Sequence, residues 1–212
     1  MTPLERVRPQ RVQVVSWDVD GTLYSLGRMI LWLAWGLVAS VAVLRFWRGV
    51  AELRALARVR RAVDRARAAG GVVPAALLAE RLALREVEAR WYGRAIARAG
   101  LRPGVRLVIE RLDAKGIRQV VLSDYEAGYK LAALGVEGRF STCYAGEARG
   151  LVKPAPALFR AVIEAEGVPA EALLHIGDRA ERDGAAAEVV GYRFVLVSAG
   201  WVKRVLEAAG IS

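Results

Sequence analysis

The chain has 212 residues, enough for one domain of ordinary size with an insertion. Its only cysteine is Cys143, which excludes an internal disulfide and a cysteine-based zinc cluster and favours a reducing cytosol. The net charge is +10, but arginine supplies 28 of the 32 basic residues, and no aromatic-and-basic interleaving or zinc-finger spacing accompanies it, so we expect no nucleic-acid partner. Residues 1–11 contain no apolar signal region, so we expect a cytoplasmic protein.

The first predicted element is a buried strand over residues 12–17, which leads directly into Asp18 and Asp20. Residues two apart in an extended chain point to the same side, so the two carboxylates should leave the strand together. Carboxylates this close repel each other unless a cation or a shared proton lies between them, which predicts a metal-assisted site. A plain turn is the alternative, whereas an EF-hand loop fails because Thr22 and Tyr24 occupy ligand positions.

An uncharged apolar stretch follows at residues 29–44, and three tryptophans lie in or beside it: Trp32, Trp35 and Trp47. Sixteen helical residues cover roughly 24 Å, less than the ~30 Å hydrocarbon core of a bilayer. A span would also separate the first strand from every later strand. We therefore expect no transmembrane span and predict that the segment 29–47 is a buried or partner-facing helix, such as a dimer contact. A helix lying in a membrane interface is the alternative.

The next segments are also helical. Residues 48–69 are rich in arginine, with apolar residues at helical spacing between the arginines, which favours a helix with a solvated face; a basic patch for anionic substrates or lipids is the alternative. Gly70 and Gly71 break this helix, and Pro74 suits the first turn of another helix that runs to about Ala99. Residues 27–102 are therefore predicted to be an all-helical insertion.

After Gly104 the sequence pattern predicts strands that alternate with helices of about ten residues. Strands are predicted over 119–122, 142–144, 172–176 and 192–197. Helices are predicted over 105–115, 127–134, 155–166 and 202–209, and one more helix is predicted between the fourth and fifth strands, ending at residue 190. This alternation predicts an α/β fold with a parallel sheet and helices on both faces.

Polar side chains follow the apolar strands at their carboxyl ends, where ligands bind in open parallel sheets. Ser123 and Asp124 follow the second strand, Lys153 lies in the loop after the third, and Asp178 follows the fourth, with Asp183 five residues on. Together with the two acids after the first strand, this set suits phosphoryl transfer with Mg²⁺.

These residues resemble, in order, the four motifs of the haloacid dehalogenase-like hydrolase superfamily. The matching residues are Asp18-Val19-Asp20-Gly21-Thr22, Ser123, Lys153-Pro154, and Gly177-Asp178 with Asp183. The resemblance implies a Rossmann-like three-layer core with a mainly parallel five-stranded sheet of order 5-4-1-2-3. It places this core at residues 1–26 and 103–212, with residues 27–102 as a helical substrate cap.

The resemblance also implies roles for the residues of the first motif. Asp18 would be the nucleophile that forms an aspartyl-phosphate and a ligand of Mg²⁺. Asp20 would protonate the leaving oxygen and then activate water, which requires a raised pKa, and its backbone carbonyl would bind Mg²⁺. Thr22 would steady the turn, hydrogen-bond Asp20 and belong to the phosphate-binding residues.

For the later motifs, the resemblance implies that Ser123 binds the transferring phosphoryl group and that Lys153 neutralises its charge. Asp178 would bind Mg²⁺, and Asp183 would bind it directly, through water or as a supporting acid. Asp124 would lie beside the phosphate, but it replaces the asparagine that is frequent in the family, which puts the local substrate contacts in question. Lys130 either faces the cleft or packs.

The predicted function is therefore a Mg²⁺-dependent phosphatase that acts on a small phosphorylated metabolite, since the acid at position 20 favours phosphate esters over dehalogenation. One alternative is a phosphotransferase or phosphomutase of the same superfamily. A second alternative is an interaction or membrane-peripheral protein on a hydrolase scaffold, suggested by the apolar helix.

Overall fold

The computed structural model describes residues 11–39 and 43–211, which form five β-strands and nine α-helices. The strands are β1 (Val14–Trp17), β2 (Arg118–Ser123), β3 (Thr142–Ala145), β4 (Leu173–Gly177) and β5 (Arg193–Leu196). The helices are α1 (Leu26–Val38), α2 (Val43–Ala68), α3 (Ala75–Ala83), α4 (Arg85–Ala99), α5 (Val105–Ala114), α6 (Gly128–Leu134), α7 (Pro156–Glu166), α8 (Ala185–Val189) and α9 (Trp201–Ala208).

The five strands form one sheet in which every pairing is parallel, in the order β3-β2-β1-β4-β5. This is the predicted order read from the opposite edge, so the predicted α/β Rossmann-like fold is confirmed. Its central strand is β1, which is buried along its whole length. The central strands are buried because β1, β2 and β4 are almost continuously apolar, as is usual for parallel strands that are covered by helices on both faces.

Side chains that alternate along β1 enter two different cores. Trp17 lies in the larger core and makes edge-on contacts with Phe140 and Trp201, and this core includes buried residues of α5, α6 and α9. Val14 lies in the smaller core with Phe159 of α7 and residues of α8. Because both faces of the sheet are covered, the polar loops at the strand ends remain the accessible part of the sheet.

Four helices, α1 to α4, lie between β1 and α5 where the helical insertion was expected. Two of the predicted boundaries are wrong. The single helix predicted from residue 74 to 99 is two helices, because the chain leaves helical geometry at Leu84. The arginine-rich helix begins at Val43, so the end of the apolar stretch belongs to α2, while residues 40–42 lie outside the described residues. The division into core and cap domains stays a prediction.

The burial of α1 also differs from the first expectation. Within α1 only Met29 is buried, and Ile30, Leu31, Trp35 and Val38 are more than half exposed. The expectation of a buried helix is therefore wrong, whereas a partner-facing or interfacial helix stays a prediction. In the parts of the chain that the structure describes, no helix combines the length and the apolarity needed to cross a bilayer.

Candidate active site

The residues predicted to carry chemistry meet at one edge of the sheet. Trp17 at the end of β1 pairs in register with Val121 of β2 and Ile176 of β4. The three central strands therefore end almost level, and the residues that follow them share the carboxyl edge of the sheet. The residues at this edge are Asp18 and Asp178, which follow β1 and β4, and Ser123, which is the last residue of β2.

Asp18 lies at the centre of this edge and is only 6% exposed. Its Oδ1 accepts a hydrogen bond from Lys153 Nζ at 2.5 Å, and its Oδ2 accepts one from Thr22 Oγ1 at 2.9 Å. Burial raises the pKa of Asp18 above its ordinary value, Lys153 opposes this, and Asp183 adds to it. The prediction that Thr22 bonds Asp20 is wrong, because the turn after β1 carries the Thr22 hydroxyl back to Asp18.

Lys153 is a buried cation that joins two carboxylates. Its Nζ also donates to Asp183 Oδ1 at 2.6 Å, and the same oxygen lies 3.2 Å from His175 Nε2. Burial alone would lower the pKa of Lys153, but Asp18 and Asp183 raise it above its ordinary value. The lysine is therefore held charged against the proposed nucleophile, and the buried histidine fixes the second carboxylate.

Three of the predicted metal ligands form one cluster, since Asp18, Asp178 and Asp183 each place a ligand atom within 4.8 Å of the others. Gly21 makes room for it: a Cβ at this position would lie 2.1 Å from Asp178 Oδ2, and its φ of +96° favours glycine. Burial and the neighbouring Asp183 raise the pKa of Asp178. Closely spaced carboxylate oxygens are the donors that Mg²⁺ prefers, so the cluster fits this ion.

The carboxylate of Asp20 lies outside that cluster and faces the helical insertion. It accepts two hydrogen bonds of 2.8 Å from Lys130 Nζ and one from the Tyr24 hydroxyl, and Arg60 lies 3.9 Å away. Burial alone would raise the pKa of Asp20, but Lys130 and Arg60 outweigh burial and lower it. The expectation that the site raises the pKa of Asp20 is wrong for this reason. Its predicted backbone contact to Mg²⁺ stays a prediction.

Ser123 ends β2 and Asp124 follows it, and the two side chains have different partners. Ser123 is buried, and its Oγ accepts the backbone N–H of Tyr125 at 3.3 Å at the edge of the cavity above Asp18. Asp124 instead accepts the backbone N–H of Lys153 and a 2.7 Å ion pair from Arg67 of α2. Both carboxylate oxygens of Asp124 therefore have partners, and the Arg67 cation offsets part of the repulsion expected beside a phosphate, while the predicted place of Asp124 beside the substrate stays a prediction.

The cavity above these residues has a volume of about 200 Å³ and is lined almost entirely by charged side chains. Its floor is formed by the carboxylates and Lys153. Its wall includes Arg60 and Arg67 of α2, and Arg179 and Arg182 in the loop after β4. The arginine-rich helix is thus more than a solvated face, because two of its arginines face the site.

Two residues that contact carboxylates of the site were not predicted from the sequence to do so. Lys130 is 1% exposed and is the main partner of Asp20, although the sequence left open whether it faces the cleft. Arg67 joins α2 to the loop after β2 through Asp124 and donates to the Lys153 carbonyl at 2.6 Å. The sequence did contain a signal for the Arg67 contact, namely the unusual acid at position 124, because a carboxylate beside a phosphate site calls for a neighbouring cation.

Arg67→Met is expected to lower the free energy of unfolding by about 2 kcal/mol, because it leaves the largely buried Asp124 carboxylate without its cation. Urea unfolding followed by circular dichroism measures the loss. Arg65→Met is the matched control, since Arg65 is exposed on the same helix. The double variant with Asp124→Asn should recover part of the loss. Unfolding of Arg67→Met at the wild-type urea concentration would show that the pair adds nothing.

Two comparisons of the sequence point to the same group of proteins. The family model of haloacid dehalogenase-like hydrolases matches residues 12–191. Haloacid dehalogenase-like hydrolase domain-containing protein 3 of Danio rerio is 31% identical over 87 residues, which are 40% of this chain and 36% of the relative. The match therefore spans about a third of the length of that curated relative.

Several solved structures have a similar fold. The magnesium-bound putative HAD-hydrolase YfnB of Bacillus subtilis has a TM-score of 0.65 and 17% identity and covers 95% of this chain and 100% of its own. CbbY of Rhodobacter sphaeroides in complex with phosphate has a TM-score of 0.60 and 19% identity, with coverages of 90% and 88%. L-2-haloacid dehalogenase of Xanthobacter autotrophicus has a TM-score of 0.59 and 17% identity, with coverages of 95% and 84%.

Proposed function

The chain belongs to the haloacid dehalogenase-like hydrolase family, and we propose that it is a Mg²⁺-dependent phosphatase of a small phosphate monoester. The observation that carries the proposal is the pairing of a three-carboxylate cluster around Asp18 with a second acid, Asp20, at the mouth of the same turn. The dehalogenases of the family need neither a metal nor an acid at that position. The combination therefore supports phosphate ester chemistry over dehalogenation.

The structural neighbours support the fold and are consistent with the proposed ligands. YfnB holds magnesium and CbbY holds phosphate, whereas the Xanthobacter protein is a dehalogenase. Because neighbours with this fold differ in chemistry, the assignment to phosphate esters rests on the residues of this chain.

In the first proposed step, a carboxylate oxygen of Asp18 attacks phosphorus while the bond from phosphorus to the ester oxygen breaks. Asp20 gives a proton to the departing alkoxide. In the second step, water attacks the aspartyl-phosphate, Asp20 takes a proton from it, and phosphate leaves with Asp18 restored. The low pKa of Asp20 in the free site means that the proton must reach it as substrate binds, and the negative charge of a bound phosphate would favour this.

Two positive charges would offset the negative charge of the phosphoryl group: Lys153 and the Mg²⁺ that the carboxylate cluster would hold. Asp18, Asp178 and Asp183 would hold Mg²⁺, which would supply positive charge to offset that of the phosphoryl oxygens. Lys153 already contacts the nucleophile at 2.5 Å, so its charge is in place before substrate arrives. Thr22 fixes the orientation of the nucleophile through its hydrogen bond to Oδ2.

The cavity supports a small and polar substrate. Its volume of about 200 Å³ is below the ~300–1,000 Å³ typical of sites for drug-sized ligands, and its lining is charged. A small phosphorylated metabolite fits these limits. Its identity within that class, and a cytoplasmic location for the protein, stay predictions.

Removal of the metal is expected to lower phosphate release from a panel of small monoesters at least about 100-fold, and added Mg²⁺ should restore it. Asp178→Asn should shift the Mg²⁺ concentration needed for half-maximal rate upward, because it removes one charge from the cluster. The measurement is inorganic phosphate release with chelator and with graded Mg²⁺. Asp113→Asn, outside the cavity, is the control.

Release of halide from 2-haloacids without metal, in place of phosphate release, would overturn the proposal in favour of dehalogenation. Transfer of the phosphoryl group to an added alcohol instead of water would identify the phosphotransferase alternative. Product analysis by phosphorus NMR separates these outcomes.

A further inference from the structure

The first helix of the insertion has an apolar surface around its whole circumference. No acidic residue lies in its first turn, no basic residue lies in its last turn, and Arg28 is the only charged residue among its 13 residues. One face of α1 packs against α4, where Met29 is buried and Trp32 and Leu33 join the core. A helix that is apolar on every face is expected to be covered on every face, but α1, which also contacts α2, keeps one apolar face uncovered.

The uncovered face of α1 is a continuous apolar stripe. Leu31, Trp35 and Val38 recur at helical spacing on the side away from Met29, Ile30 lies at the edge of this stripe, and the exposed fractions of the four lie between 58% and 69%. Trp47 near the start of α2 is 60% exposed and adds a second tryptophan. These five residues, which we call the α1 patch, are most of the strongly exposed large apolar side chains in the described chain. Such a concentration marks an interaction surface.

A groove next to the α1 patch combines apolar walls with cations. It lies between α1 and α4, has a volume of about 490 Å³, and is lined by Trp32, Gly36 and Trp91 together with Arg94 and Arg98. Arg98 lies over the Trp32 ring at 5.4 Å, so its charged end is held at the rim of the groove. An acyl chain with an anionic headgroup has the matching chemistry.

Exposed arginines lie on α2 and α4, the two helices that contact α1. Arg48, which is 80% exposed in its side chain, directly follows Trp47, and Arg90, Arg94 and Arg98 are exposed on α4. The acid among them, Glu52, is already bonded to Arg48, Arg90 and the Trp91 ring N–H. The surface therefore carries excess positive charge around an apolar centre.

We propose that the α1 patch docks on an anionic membrane surface, with α1 lying in the plane of the interface. Tryptophan at the edge of an apolar face and arginines beside it are the features of helices that bind in this way. A 13-residue helix is about 20 Å long, which suits lying along the interface. A second copy of the chain fits less well, because two such faces would bring their arginines together.

The test uses flotation of the full chain with vesicles. The wild-type protein should float with vesicles of phosphatidylcholine and phosphatidylglycerol in equal parts, remain below with phosphatidylcholine alone, and lose about 10-fold in partitioning at high salt. Leu31→Glu with Trp35→Glu should lower partitioning into the mixed vesicles about 100-fold. Val189→Glu is the matched control, since Val189 is a 64% exposed apolar residue on α8, and it should float like the wild type.

Circular dichroism of the α1 double variant must match the wild type, and Leu31→Ser with Trp35→Ser provides a second, uncharged variant that should also lose binding. Equal flotation of the wild type and both α1 variants, or no flotation of the wild type with anionic vesicles, would overturn the proposal. A dimer in light scattering that dissociates with the α1 variants, without vesicle binding, would assign the patch to a second copy. Phosphatase assays on a soluble ester report separately on the active site, so failure here leaves that proposal standing.

Discussion

Asp18→Asn is expected to lower the rate of phosphate release by about 10⁴-fold or more, because it removes the proposed nucleophile and leaves the remaining site in place. Asparagine keeps the size of the side chain and can still accept the hydrogen bond from Thr22. Its amide cannot attack phosphorus, so the aspartyl-phosphate cannot form. The measurement is steady-state release of inorganic phosphate with saturating Mg²⁺.

The fold should survive this change, which makes the activity loss interpretable. Asp18 is a buried acid beside Asp183, and burial disfavours its charged form, so a neutral side chain there removes repulsion. Lys153 keeps Asp183 as a partner at 2.6 Å. We therefore expect a thermal midpoint equal to or above that of the wild type, measured by circular dichroism.

Asp64→Asn is the matched control, because Asp64 also lines the cavity but is 47% exposed in its side chain and lies outside the carboxylate cluster. It should retain activity within about threefold, as expected for a screened surface charge. Mass spectrometry of acid-quenched wild-type protein should find a phosphoryl group on the peptide that contains Asp18. Activity of Asp18→Asn within tenfold of the wild type, at a level above that of a mock purification, would remove Asp18 from the mechanism.

The sequence was informative where the backbone alone decides the position of a residue. Asp18 and Asp178 follow apolar strands and Ser123 ends one. Parallel strands of similar length end at one edge, so the convergence of these residues could be predicted without side-chain detail. The strand order entered through the resemblance to a family. The periodicity of apolar residues located most of the helices and strands of the core.

The sequence was less informative where two distant segments must be docked before a contact exists. Lys130 meets Asp20 only because α6 is placed beside the turn after β1, and the pairing spans 110 positions. Arg67 meets Asp124 only because α2 of the insertion lies over the sheet edge. The Thr22 hydroxyl could bond either Asp18 or Asp20, and the conformation of the turn, which the spacing of the residues does not reveal, decides for Asp18. The Lys130 contact changed the expected electrostatics of Asp20, and the Arg67 contact changed those of Asp124.

The exposed apolar face of α1 is another feature that the sequence could not predict. Hydrophobicity identified the helix but could not tell a buried face from an exposed one, because all of its faces are apolar. The position of α4 decided which face is covered. The break between α3 and α4 at Leu84 had no signal, since neither glycine nor proline lies there.

Asp20→Asn is expected to lower turnover of an alkyl phosphate by about 10³-fold, because an alkoxide is a poor leaving group and needs the proton that Asp20 would supply. An aryl phosphate leaves without that help, so its first step should be nearly unaffected. The second step still needs Asp20 to take a proton from water. With the aryl ester, the variant should therefore release a stoichiometric burst of phenol and then turn over slowly.

Lys130→Met is the comparison variant, because it keeps the acid and removes the cation that holds it in place with two 2.8 Å hydrogen bonds. It should slow both esters by a similar factor, about 10-fold, without a burst, since loss of positioning affects both steps. Rapid-quench measurement of phenol and phosphate separates the two patterns. If Asp20→Asn left alkyl and aryl ester turnover equally unchanged, Asp20 would have no role in proton transfer. The acid at position 20 would then no longer distinguish this chain from the dehalogenases of its family.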